Sequence, residues 1–161
     1  MNRLDFEIIK KVIEDNSRIL DVGCENGELL KFLDKGKKID GRGLEISQKN
    51  VNICVKHGLS VIQGDADKDL IAYPSKSFDF VILSQTLQAT HSPEQVLNQL
   101  VRISKRAIVS FPNFGSWLIR LKLLTNGAMP QSNSLPHTLS LIHISEPTRP
   151  RLISYAVFCL K

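Results

Sequence analysis

A doubly wound α/β fold, with a parallel sheet covered by helices on both faces, is what this sequence predicts, and three observations carry the prediction. Short apolar runs alternate with amphipathic segments from Arg18 to Phe111. The first run, Arg18-Ile19-Leu20-Asp21-Val22, leads through Gly23-Cys24-Glu25-Asn26-Gly27 into a helical pattern, as a parallel strand does when it hands over through a tight ligand-binding turn. Polar residues recur just where each apolar run ends, and a parallel sheet gathers such positions along one edge.

The elements follow in order. Leu4, Ile8, Ile9, Val12 and Ile13 fall at helical spacing, so residues 4–14 read as an amphipathic helix, with 14–17 as the loop into the first strand. Leu29, Leu30 and Leu33 give the next helix its buried face, and Gly36 lies where it would stop. A second strand runs from Ile39 to Ile46. Ser47 is placed to cap a helix carrying Val51, Cys54 and Val55, with Gly58 ending it before a third strand, Leu59–Gln63. Asp65–Ser77 reads as a polar link to a buried fourth strand, Phe78–Leu83. Ser92-Pro93-Glu94-Gln95 predicts a helix start with Ser92 as cap, Pro93 at the first helical position and Gln95 reaching back as in a capping box. Val96, Leu97, Leu100 and Val101 form its apolar face, and Arg106–Phe111 is the fifth strand, stopped by Pro112. Helical crossovers between successive strands make the sheet parallel and the connections right-handed.

Length and composition narrow the class. At 161 residues the chain is about one domain, and 42% hydrophobic with 23% charged residues is ordinary for a globular protein. No apolar stretch approaches the roughly 20 residues of a membrane span, and Met1–Asp5 lacks the apolar core of a signal peptide, so the expected location is cytoplasmic. Cys24, Cys54 and Cys159 are too few and too scattered for a disulfide framework or a zinc site. The net charge of +5 is spread in pairs such as Lys10-Lys11 and Lys37-Lys38 with acids between them, which reads as solvated faces and not as a nucleic-acid surface.

The candidate site lies at the carboxyl ends of the strands. Gly23 and Gly27 let main chain approach a ligand, and the N–H groups at the helix start after them attract an anionic group. Asp21, Gly23, Glu25 and Gly27 follow the first strand, Glu45 and Ile46 end the second, Asp65 and Ala66 follow the third, and Ser84-Gln85 follow the fourth. Glu45 falls about 20 residues beyond the turn, where an acid can accept both hydroxyls of a ribose. Asp65 is placed to accept from an adenine amino group and Ala66 to lie along the ring. Each acid alone also reads as a helix cap. In this order they favour an adenosyl ligand over a dinucleotide, whose pyrophosphate needs the spacing G-x-G-x-x-G. No metal-spaced histidines, nucleophile elbow or Cys/His couple accompanies them. His57, His91 and His137 read as surface or loop histidines, with His91 near the site. Methyl transfer remains open as a reaction, since it needs proximity and alignment more than an acid–base pair.

The turn resembles the first motif of class I S-adenosylmethionine-binding domains, D/E-x-G-x-G-x-G, with Glu25 in place of the middle glycine. Longer runs carry more: Gly41–Ser47, Val61–Asp67, Ile82–Thr90 and Ile108–Gly115, of which Ser84-Gln85-Thr86-Leu87-Gln88-Ala89-Thr90 and Ser110-Phe111-Pro112-Asn113-Phe114-Gly115 are far more specific than the turn. Over residues 1–138 these closely resemble the bacterial methionine-biosynthesis protein MetW family. The resemblance implies a Rossmann-like class I methyltransferase fold, S-adenosylmethionine or S-adenosylhomocysteine as cofactor, and a homoserine O-acyltransferase as partner. It does not imply a methyl acceptor. The apolar segment Trp117–Leu124 reads as core or lid packing, or as a partner contact.

Beyond Thr138 the pattern of the fold breaks. Leu139–Arg149 is what a common transposase-library adapter encodes, Ile153–Leu160 corresponds to the flow-cell end in the same frame, and Pro150-Arg151-Leu152 falls where the variable index lies. Residues 1–138 are therefore expected to be the domain, incomplete at its carboxyl end, and 139–161 a non-native tail in which His143 and Cys159 carry no functional weight. The expected consequence is an uncovered edge at the fifth strand, or at whichever edge the missing strands normally pair with, and an unstable or aggregation-prone product.

Overall fold

The computed structural model describes residues 4–112 and 155–160. Alternation of side chains along the strands places the core. Ile19, Phe80, Ile82 and Ile108 point to one face of the sheet and pack with Phe6, Ile9, Ile13, Leu29 and Leu33. Their chain neighbours Leu20, Val81, Leu83, Ala107 and Val109 point to the other face and pack with Leu70, Val96, Leu100 and Ile103. A strand buried on both faces has no polar side to show, which is why these runs are continuously apolar. The first face is covered by α1 (Leu4–Val12) and α2 (Glu28–Gly36), and the second chiefly by α5 (Pro93–Ile103).

The strands are β1 (Arg18–Val22), β2 (Asp40–Glu45), β3 (Ser60–Gln63), β4 (Phe78–Ser84), β5 (Ser104–Pro112) and β6 (Tyr155–Leu160), in the spatial order β3-β2-β1-β4-β5-β6. The first five are parallel and β6 is antiparallel to β5. The order reverses between β1 and β4, so the switch point, where such sheets hold their ligands, is beside the glycine turn. At the opposite end, Asp79 ties three strands by accepting from Lys105 Nζ at 2.8 Å and from the Arg18 main-chain N–H at 2.9 Å.

Several expectations are corrected. The link from Asp65 to Ser77 contains a short helix, α4 (Ala66–Asp69), and a 3-10 turn over Leu70–Ala72 that inserts Leu70 into the core. Arg102 of α5 holds this turn by donating to the carbonyls of Leu70 at 3.0 Å and Tyr73 at 2.8 Å. One apolar residue in a polar stretch leaves no periodic signal, so the insertion is silent in sequence. A second 3-10 turn spans Leu87–Ala89. On α5 the buried set is Val96, Leu100 and Ile103, whereas Val101 is exposed; on α3 (Gln48–Lys56) Val51 and Cys54 are buried and Val55 is exposed. The expected capping box is not formed: the Ser92 side chain makes no cap bond, and the Ser92 N–H donates to Asp67 Oδ1 at 2.9 Å. Ser47 occupies the cap position of α3 without a side-chain cap bond.

The edge of β5 is covered. Ala107 to Pro112 pair with Leu160 to Tyr155 in antiparallel register, so the tail supplies the strand that was expected to be missing. Strand addition to a free edge is driven by main-chain N–H and C=O groups, and Tyr155-Ala156-Val157-Phe158-Cys159-Leu160 combines β-branched and aromatic residues without glycine or proline. Trp117–Leu124 and His137 lie outside the described residues.

Candidate functional site

The site is built from the main chain outward. Gly23 takes φ +73° and its N–H donates to the Leu44 carbonyl at 2.7 Å, binding the turn to β2. A β-carbon there would approach Thr86 Cβ to 2.9 Å, so the turn after β4 can close on the turn after β1 only over glycine. Gly27, at φ +75°, begins α2, and a β-carbon on it would run into the Leu59 side chain.

Glu45, 6% exposed at the end of β2, is the fixed point of the site. Its Oε2 accepts from the Glu25 N–H at 2.8 Å and its Oε1 from the Ser47 N–H at 2.9 Å, so both oxygens are oriented by main chain. Each carboxylate oxygen has a second lone-pair direction, which leaves acceptor capacity toward the cavity. Asp65 Oδ1 caps α4 by accepting from the Asp67 N–H at 3.0 Å, and its Oδ2 pairs with exposed Lys68 at 3.1 Å. Asp67 in turn accepts from the N–H groups of His91 at 3.0 Å and Ser92 at 2.9 Å. Burial opposes ionisation of Asp67, and these bonds outweigh it, holding its carboxyl below the usual range.

The turn after β4 is similarly tied. Gln85 sits at φ +56° with its N–H on the Ser110 carbonyl at 2.8 Å, and its Nε2 donates to buried Asp5 of α1 at 3.2 Å. Ser84 Oγ accepts from Ser110 Oγ at 3.1 Å, and Thr86 Oγ1 donates to the Ser84 carbonyl at 3.0 Å. Cys24 and Cys54 are buried, and burial, reinforced at Cys24 by nearby Asp21, pushes both thiols up in pKa. They therefore stay as inert thiols.

Two cavities flank the glycine turn. The larger, about 340 Å³, is lined by Gly23, Glu25, Leu44, Glu45, Ile46, Asn50, Gly64, Asp65, Ala66, Asp67, Gln85, Thr86, Ala89 and Thr90. The smaller, about 170 Å³, is lined by Phe6, Asp21, Gly23, Cys24, Glu25, Asn26, Glu28, Leu29, Ser84 and Gln85. Gly23, Glu25 and Gln85 belong to both. Nine of the ten expected site residues thus line one cavity or the other; Gly27 lines neither and packs against Leu59 instead. Thr86 and Asp67 lie inside runs singled out in the sequence, yet only the folded turns show that one closes on Gly23 and the other holds the start of α5. Asn50 gives no sequence signal, because its position depends on how α3 is rotated over the sheet. His91 is 93% exposed by side chain and contacts Asp67 at 3.4 Å through Nδ1. Among the described residues no cluster of three or more His, Cys, Asp or Glu has metal-holding geometry, and no helix is long and apolar enough to cross a membrane.

A glycine turn at the switch point, an acid ending β2 and an acid after β3 define an α/β domain of the methyltransferase-like class. The fold is shared with an S-adenosylmethionine-dependent methyltransferase of Thermotoga maritima, at TM-score 0.62 and 26% identity over 73% of this chain and 55% of that one. It is shared also with an S-adenosylmethionine-dependent methyltransferase of Archaeoglobus fulgidus, at TM-score 0.61 and 20% identity over 79% and 62%. The family model described as methionine biosynthesis protein MetW matches residues 3–144, and the chain belongs to that family. A curated relative, the bifunctional methionine biosynthesis protein MetXA/MetW of Rhodopirellula baltica, is 34% identical over 137 residues, which is 80% of this chain and 22% of the relative. An uncharacterized protein of Methanocaldococcus jannaschii is 35% identical over 83 residues, 51% of this chain and 30% of its own. The chain therefore spans less than a third of the length of either curated relative.

Proposed function

We propose that this protein binds S-adenosylmethionine or S-adenosylhomocysteine at the paired cavities and supports a homoserine O-acyltransferase in methionine biosynthesis, in the cytoplasm. The observation that carries the ligand reading is Glu45, a nearly buried carboxylate whose two oxygens are aimed by the Glu25 and Ser47 N–H groups at the wall of the larger cavity. The residues present fit the cofactor. Glu45 would hold the ribose hydroxyls. Ile46, 65% exposed, and Ala66 offer apolar surface to a ring, and Asp65 an acceptor to its amino group, in competition with a solvated Lys68 pair of little strength. Asp21, Ser84 and Gln85 would take the amino-acid end in the smaller cavity. Among the described residues no lysine or arginine lines either cavity, which suits a cationic ligand and opposes a pyrophosphate. Bound there, S-adenosylmethionine would supply an activated methyl group; what the chain itself does is position and desolvate it.

The accessory role rests on family membership and on the Rhodopirellula baltica relative, whose name joins MetXA and MetW in a single chain. Units fused in one organism are natural partners in trans in another. Co-purification with the acyltransferase, together with faster acyl transfer in its presence, is the expected result; no association and no change in acyl transfer would overturn this role. A second reading, methyl transfer to a small molecule, is favoured by the likeness to the Thermotoga maritima methyltransferase. It predicts release of S-adenosylhomocysteine with some metabolite acceptor, and a screen that yields none would count against it. The functional unit in either reading is residues 1–138, with 139–161 as an adapter-derived tail that carries none of it.

A further inference from the structure

Glu25 stands where the motif that the turn resembles has glycine, and the fold keeps it at φ +48°, a conformation that glycine would adopt without strain. The main chain is clamped on both sides: the Glu25 N–H donates to Glu45 Oε2 at 2.8 Å, and its carbonyl accepts from Cys54 Sγ at 3.3 Å. The residue cannot relax without releasing Glu45. Glu25 is exposed and lines both cavities, so this acidic residue sits at their junction. In an adenosyl sulfonium ligand the charged sulfur joins the nucleoside to the amino-acid end, and it would fall at that same junction.

We propose that Glu25 makes the site charge-selective, favouring the cationic sulfonium S-adenosylmethionine over the neutral thioether S-adenosylhomocysteine. This rests on the adenosyl-binding reading of the site. The two ligands differ by one methyl group and one positive charge at sulfur, so a carboxylate at the junction is the kind of group that separates them. The other lining acids, Asp21, Glu28, Glu45, Asp65 and Asp67, reinforce the field, Asp65 in part offset by its Lys68 pair, and among the described residues no lysine or arginine lines either cavity. Solvent around an exposed carboxylate limits the discrimination to about threefold to tenfold.

The test is calorimetric titration of the full chain with each ligand, for the wild type, Glu25→Gln and Glu25→Gly. Both variants are expected to lose S-adenosylmethionine affinity about threefold to tenfold while S-adenosylhomocysteine affinity holds, and the wild-type preference should shrink as salt rises. Glu25→Gly also removes the unfavourable φ, so its melting temperature should rise while its selectivity falls with that of Glu25→Gln, separating charge from backbone strain. An unchanged affinity ratio in both variants would overturn the inference and leave the adenosyl site standing. Equal loss of both ligands would assign Glu25 a merely steric role and overturn it too. A folded wild type that binds neither ligand would overturn the adenosyl reading and this inference with it.

Discussion

The two cavities beside the glycine turn are built by different means. In the larger one the acids are set by main-chain donors: Glu45 by Glu25 and Ser47, Asp65 by Asp67, and Asp67 by His91 and Ser92. These contacts join segments that follow β1, β2, β3 and β4, so the cavity is organised by the sheet itself. The smaller one leans on an added element. Phe6 of α1 forms part of its wall, and Asp5 of α1 holds Gln85, a residue common to both cavities. Preorganisation by strand ends is a property of the sheet, whereas the wall supplied by α1 depends on one helix staying docked. The larger cavity should therefore set affinity and the smaller one should tune it.

Substitutions ranked by expected effect can break that contrast. Gly23→Ala should be the most damaging, because it combines a positive φ with a collision against Thr86 where both cavities meet. A loss of about 2–4 kcal/mol of stability is expected, read as a lower melting temperature together with lost binding. Glu45→Gln keeps the shape but turns one acceptor into a donor facing a main-chain N–H; binding of S-adenosylmethionine should weaken about tenfold to a hundredfold by calorimetry. Asp5→Asn should weaken it only about twofold to fivefold, since an amide can still accept from Gln85. A larger loss from Asp5→Asn than from Glu45→Gln would reverse the assignment of the two cavities.

A fourth prediction concerns acid. The Asp67 carboxyl titrates below its ordinary value of 3.8 because, against the effect of burial, the His91 and Ser92 N–H groups stabilise the anion. Asp79 does so through Lys105 and then the Arg18 N–H. A lowered folded-state pKa means that the stabilisation is full above the unfolded value and is lost as pH falls through the folded one. Melting temperature should accordingly drop below about pH 4, and Asp67→Asn should flatten part of that drop while costing about 1 kcal/mol at neutral pH. The smallest effect on the cavities is expected from deleting 139–161, which removes β6 from the β5 edge. Affinity should be unchanged, while light scattering should show aggregation.

Much of this arrangement was legible in the sequence because a doubly wound sheet writes itself twice. Runs such as Phe80–Leu83 are apolar on both faces, and the polar residues that follow them are forced to one edge by the parallel connections. Glu45 and Asp65 could be placed for that reason. What stayed hidden depends on contacts without period. Leu70 enters the core from a polar stretch, Asp67 takes over the role expected of Gln95 at the start of α5, and Asp5 is buried on a helix whose apolar spacing predicts only Leu, Ile and Val inward. Gly27 reads in sequence as a point of ligand approach, whereas in the fold a β-carbon there would meet Leu59. The strand at Tyr155–Leu160 was missed for another reason: a free sheet edge pairs with extended, apolar chain through main-chain groups, which leave no residue-specific signal.

Calorimetric titration of S-adenosylmethionine into the folded chain, with Asp21→Ala and Glu45→Ala as controls, tests the central claim most directly. One saturable site in the wild type, weakened by Asp21→Ala and abolished by Glu45→Ala with the melting transition still cooperative, is the predicted result. Absence of binding by a cooperatively folded wild type, or binding that survives Glu45→Ala unchanged, would contradict it.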